Sequence, residues 1–176
     1  MMPTILSKRY QVAENWILNA SPLILLSRIG HEDLLLAQAD QVVVPRAVET
    51  EIQAGPPQDQ ARQALAAGRF TVVDSPPPPP ELLSWDLGSG ETAVLSLAIV
   101  ERTWTAILDD AAGRKCARSF SIPIKGTLAI VIMAKQRGLI TSAASLMQSL
   151  VDIGYRIDDS TLREALARSV GEKWPQ

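Results

Sequence analysis

Histidine and cysteine are nearly missing from this 176-residue chain, which has one of each, His31 and Cys116. A single thiol excludes an intrachain disulfide and a cysteine-rich zinc site. A Ser-His-Asp or Cys-His mechanism would have to run through His31. That residue lies in Gly30-His31-Glu32-Asp33, a turn opening a helix, where a surface or capping role is expected. Acid–base or metal chemistry therefore falls to carboxylates. Positive charge is also short: 17 Lys and Arg stand against 19 Asp and Glu, a net charge of −2, so no cationic coat holds nucleic acid non-specifically. Any such partner must be handled at a local site. A membrane-spanning run is missing too. The most apolar early stretch, 16–29, falls short of the ~20 residues a bilayer requires, and Asn19, Ser21, Pro22, Ser27 and Arg28 interrupt it. The N-terminus shows no basic region, long apolar region and small-residue cleavage site in order, so a cytoplasmic protein without membrane contact is expected, in keeping with the lone thiol.

What is present is a chain rich enough in apolar residues to fold as one domain, with 47% hydrophobic residues and a mean hydropathy of +0.09. Short β-branched or apolar runs alternate with longer helical patterns. Strands are expected at 16–19, 42–44, 70–73, 104–108 and 122–124, and helices from near Ser21-Pro22 and over 46–54, 58–67, 88–101, 110–120, 126–136, 141–152 and 160–170. Doubly buried strands separated by helices describe a three-layer α/β domain with a central parallel sheet, followed by C-terminal helices. The expected organisation is an N-terminal extension over 1–14, an α/β domain over 15–140, and a helical extension over 141–176 packed on that domain. Pro76 to Pro80 reads as a stiff polyproline surface connector. Leu146, Leu150 and Ile153 form an apolar stripe that either packs on its own domain or meets a partner or second copy of the chain.

In such a fold, ligands bind at the carboxyl ends of the strands. There the sequence has Asn19 ending the first strand and Asp109-Asp110 ending the fourth. Glu91 follows Gly88-Ser89-Gly90 in the first turn of its helix, and Glu51 lies on the helix after the second strand. Brought together, they would make an all-oxygen anionic pocket suited to Mg²⁺ or Mn²⁺ and to phosphodiester hydrolysis. Each also has a plainer reading. Glu91 with Ser89 would cap a helix, Asp109-Asp110 would be an N-cap and its neighbour, and Glu51 would be a solvated helix residue. Spacing alone does not choose.

Several blocks, in order, resemble PIN-domain proteins. They are Asn19-Ala20-Ser21-Pro22, Val42-Val43-Val44-Pro45 with Glu51-Ile52, Gly88-Ser89-Gly90-Glu91-Thr92-Ala93, Ile107-Leu108-Asp109-Asp110 with Arg114, and Ile122-Pro123-Ile124-Lys125-Gly126-Thr127. The resemblance implies a PIN-like α/β fold and a Mg²⁺- or Mn²⁺-dependent endoribonuclease cleaving single-stranded RNA, often the toxin of a toxin–antitoxin pair with an antitoxin protein as partner. Carried over by position, Glu51, Glu91 and Asp109 or Asp110 are the catalytic and metal-binding acids, with Asp110 slightly favoured by register. Ser21 is the hydroxyl supporting the first acid. At that first acid position this chain has Asn19, whose carbonyl oxygen still offers a metal ligand but which lacks the charge and cannot act as a base. The substitution keeps open a module that binds nucleic acid or a protein with little or no cleavage. Arg114, Lys115 and Arg118 either flank the pocket as phosphate contacts or form a solvated helix face. Trp16 and Trp104 are expected in the core, and Trp85 is the better candidate to stack on a base.

Overall fold

The computed structural model describes residues 14–175, and the expected extension over 1–14 lies, apart from Glu14, outside the described residues. Five strands form one all-parallel sheet: β1 (Asn15–Leu18), β2 (Gln41–Pro45), β3 (Thr71–Val73), β4 (Thr105–Ile107) and β5 (Ile124–Lys125), in the order β3-β2-β1-β4-β5. The helices are α1 (Ala20–Arg28), α2 (Asp33–Ala37), α3 (Arg46–Gln53), α4 (Gln60–Ala66), α5 (Pro80–Leu83), α6 (Ser89–Val100), α7 (Ala111–Ser119), α8 (Thr127–Gln136), α9 (Ala143–Asp152) and α10 (Asp159–Val170). They flank the sheet in a three-layer α/β arrangement, as the sequence predicts.

The central strands owe their position to composition. Trp16, Ile17 and Leu18 are fully buried, and so are Ala106 and Ile107, because a parallel strand covered on both faces has no solvent side to give to polar residues. Helix α6 packs on β1, β2, β4 and α3, which fixes its N-terminus beside the carboxyl ends of those strands. From β1 the chain winds outward to β2 and β3 in one direction and later to β4 and β5 in the other. The strand order therefore reverses between β1 and β4, and a crevice opens at their carboxyl ends.

Several boundaries differ from the sequence reading. Asn19 is not the last residue of β1 but the first beyond it, and Asp110 lies outside α7 as its N-cap. The fifth strand begins at Ile124 rather than Ile122, since Pro123 lacks the N–H that a ladder needs and contributes only its carbonyl, which accepts from Ala106 N–H at 2.8 Å. Trp16 is in the core as expected, whereas Trp104 is only partly buried and precedes β4. Trp85 packs against the core edge. In the C-terminal stripe, Leu146 and Leu150 are buried, and α9 and α10 both pack on α8; Ile153 lies past α9 and is 37% exposed. The stripe is thus largely consumed by its own domain.

Candidate functional site

The crevice between β1 and β4 is where the chemistry-bearing residues gather. Strand pairing persists one residue past β1, with Asn19 N–H donating to Ile107 O at 2.9 Å, so Asn19 is held beside the end of β4. Its side chain is 6% exposed, and its Oδ1 is buried without a hydrogen-bond partner. A buried amide oxygen left unpaired carries a desolvation cost, and its presence at a strand end points to a ligand that would satisfy it.

The two adjacent aspartates have different environments. Asp110 caps α7 by accepting from Gly113 N–H at 2.9 Å and remains exposed. Asp109 accepts from Thr127 N–H at 2.7 Å, Thr127 Oγ1 at 2.6 Å, Tyr155 OH at 3.3 Å and, at the long distance of 3.4 Å, Ser21 Oγ. Four donors match the roughly four lone-pair sites of a carboxylate, so Asp109 ties α1, α8 and the loop after α9 to the end of β4. Ser21 therefore supports Asp109 in this arrangement, rather than the residue at position 19. Gly126 permits this close approach, as a Cβ there would lie 2.6 Å from Arg114 Nη1 and 2.9 Å from Asp109 Oδ1.

Glu91 enters from the first turn of α6. Burial and the neighbouring Asp110 carboxylate push its carboxyl above the ordinary glutamate range; a bond from Gly88 N–H pulls it back, and Glu51 adds further repulsion. Glu51, from α3, accepts from Ser89 Oγ at 3.0 Å and Gly90 N–H at 2.8 Å. It supplies across the fold the cap that the α6 N-cap residue, Gly88, has no side chain to provide. The contact requires glycine at 90, where a Cβ would meet Glu51 Oε2 at 2.5 Å.

A cleft of ≈ 450 Å³ joins these groups, with Asn19, Glu91, Asp109, Asp110, Tyr155 and Arg156 in its wall. Glu51 is exposed and not in this wall, and its charge adds to the repulsion at Glu91. Of the three basic residues on α7, Arg114 turns toward Asp109 and Gly126 and donates to Leu108 O at 3.3 Å. Lys115 and Arg118 are exposed and do not line the cleft. Sequence reasoning missed Thr127, Tyr155 and Arg156. Thr127 follows Gly126 at a helix start, a weak signal for a carboxylate partner, and nothing local marks Tyr155 or Arg156.

Residues 15–172 match the PIN-domain family. The chain belongs to the PIN-domain family. Comparison with curated proteins finds no match. PIN domains are nuclease-type folds that generally use divalent metal ions, and the donor chemistry of this PIN domain's cleft suits such an ion. The donor set is all oxygen, Asn19 Oδ1 lacks a partner, and mutual repulsion at Glu91 would be relieved by a cation. Among the described residues, no three His, Cys, Asp or Glu side chains stand close enough to hold one ion. In this PIN domain Glu51 and Asp110 instead each hold backbone donors.

Proposed function

We propose that this PIN domain is a Mg²⁺- or Mn²⁺-dependent endoribonuclease acting on single-stranded RNA in the cytoplasm. The observation that carries the reading is the cleft at the carboxyl edge of the sheet that Glu91 and Asp110 line together with Asn19, whose buried side-chain oxygen is unpaired. Asn19, Glu91 and Asp110 would hold the cation, with Glu51 fixing the N-terminus of α6 and Asp109 fixing the loops around it. The chemistry supplied by a bound divalent cation is a water of lowered pKa and charge neutralisation at the phosphate. The chain's own acids do the rest. The Glu91 and Asp110 carboxylates would hold and orient that water beside the phosphate, and the Tyr155 phenol, raised by burial and by Asp109, stays protonated and keeps donating to Asp109.

The test is cleavage of a fluorescently labelled single-stranded RNA with Mn²⁺, Mg²⁺ or a chelator. Cleavage that requires the ion and falls at least ~100-fold in Glu91→Gln and Asp110→Asn is expected, the size typical for loss of a proton-transfer or electrostatic group. Equal cleavage in the presence of chelator would refute it. The amide at position 19 supports a second reading, a module that binds nucleic acid or a protein without turnover. Under that reading the parent does not cleave and Asn19→Asp, by restoring a charge, gains ion-dependent cleavage. A toxin role with an antitoxin partner, and a homodimer, are the settings the family resemblance adds. The first is tested by co-expression with the product of a neighbouring small reading frame, and the second by solution mass.

A further inference from the structure

Beside the acid cleft lies a second cavity of ≈ 350 Å³, within the range of small-ligand pockets, which begins at ~300 Å³. Asp109, Tyr155 and Arg156 border both spaces, so the two form one continuous depression divided by a shared wall. Their electrostatics differ. Beside the shared Asp109 and Arg156, the first is edged by Glu91 and Asp110, whereas the second adds Arg114. Among the described residues, neither guanidinium forms an ion pair, and Arg156 is exposed without a hydrogen bond. The remaining walls come from Leu128, Ala129, Ile132 and Ile157, all partly buried.

We propose that this second cavity is the subsite for the nucleotide adjoining the scissile phosphodiester, a proposal that rests on the nuclease reading above. A single strand is a chain of phosphates alternating with flat, largely apolar bases. An acidic cation-binding cleft can take one phosphate through its metal, but the neighbouring nucleotide then needs a cationic contact and an apolar face. The second cavity offers both, one step away from the acids. Arg156 takes the phosphate, Arg114 lies deeper against the end of β4, and the aliphatic wall from α8 and Ile157 receives the base. The arrangement is built rather than incidental. Gly154, with φ +104, turns the chain after α9, and the Tyr155 hydroxyl fastens the loop to Asp109 at 3.3 Å. Arg156 is thereby placed on the divide between the two spaces. The loop between α9 and α10 thus completes the substrate groove.

The experiment compares wild type, Arg156→Ala, Arg156→Lys and Arg156→Glu, with exposed Arg102→Ala as a remote control. Two substrates are used with Mn²⁺: a single-stranded oligoribonucleotide and bis(p-nitrophenyl) phosphate, a small diester with no second nucleotide. Binding of the labelled oligonucleotide in chelator is measured separately across salt concentrations. Arg156→Ala is expected to raise the oligonucleotide KM and Kd about 3–10-fold and to lower the salt slope by about 0.7, the value for one phosphate contact on a single strand. Arg156→Lys is expected to recover part of this, and Arg156→Glu to lose more. Hydrolysis of the small diester stays within twofold of wild type in Arg102→Ala, and in the Arg156 variants it falls less than cleavage of the oligonucleotide does. Unchanged oligonucleotide Kd and salt slope in Arg156→Ala and Arg156→Glu would overturn the subsite and leave the two guanidiniums to an acidic peptide. An equal loss on both substrates would also overturn it, by making Arg156 part of the reaction centre. If wild type cleaves neither substrate, the nuclease reading fails by itself, and the Kd and salt slope still decide the subsite.

Discussion

At neutral pH the half-buried, ionised Glu91 carboxylate is repelled by the exposed Asp110 and Glu51 carboxylates, and this sets an exchange between stability and metal binding. Its folded pKa lies above that of an unfolded glutamate, near 4.3, so the native state binds the proton more tightly. The side chain's contribution is therefore most favourable below that value and diminishes as pH rises through the raised one. In chelator, Glu91→Gln is expected to melt about 1–3 °C higher than wild type at pH 7, with the difference vanishing toward pH 4, at ~2–4 °C per kcal/mol for a chain of this length. A lower Tm for the variant at pH 7 would count against the clustering of the acids. Added Mn²⁺ should raise the wild-type Tm and leave the variant's almost unmoved. At this scale the sequence was informative about residue types and silent about their surroundings. Asp109 and Asp110 are neighbours in a strand-end run. One nevertheless collects four donors while the other caps a helix, because consecutive side chains after a strand point in different directions.

Helix ends tell a similar story at the scale of elements. α4, α7 and α10 begin with local caps from Asp59, Asp110 and Asp158, which a sequence displays three residues or fewer from the group they serve. α6 and α9 also depend on distant carboxylates. Glu51 serves the first, and Glu172 accepts from Ala143 N–H at 3.1 Å, Ala144 N–H at 2.7 Å and Ser142 Oγ at 2.9 Å for the second. Glu172→Ala should cost about 1–2 kcal/mol, the usual value of a lost cap with some helix-dipole interaction, and lower Tm by about 2–8 °C. Burial works to raise the Glu172 pKa, but these bonds and Lys135 more than offset it, so the folded value lies below the ordinary one. Its stabilisation is present above the unfolded pKa and disappears as pH falls through the folded one. The gap between wild type and Glu172→Ala should accordingly close in acid, and a gap that persists unchanged at pH 2 would contradict the assignment. The strand–helix alternation itself was legible because apolar periodicity is local. The shift of β5 was also written in the chain, at Pro123.

Across the whole molecule, α9 and α10 are bound to α8 through fully buried Met147, Leu150, Leu162 and Leu166. Leu166→Ala is expected to cost about 2–5 kcal/mol and to lower one cooperative transition, followed identically by tryptophan fluorescence and far-ultraviolet circular dichroism. An early separate loss of helix signal would show the C-terminal helices to be an independent unit. Within the described residues no helix is long and apolar enough to cross a membrane. The near absence of histidine and cysteine, the apolar central strands and the acids at strand ends were determined by the sequence alone, since residue type and local period require no partner to be read. The tertiary structure decided that Asp109 anchors while Asp110 shares the cleft wall with Glu91, that Glu51 caps α6 from another helix, and that Tyr155 reaches Asp109 from 46 positions away. Such meetings depend on how remote elements pack and which way their side chains point, and no local periodicity encodes either.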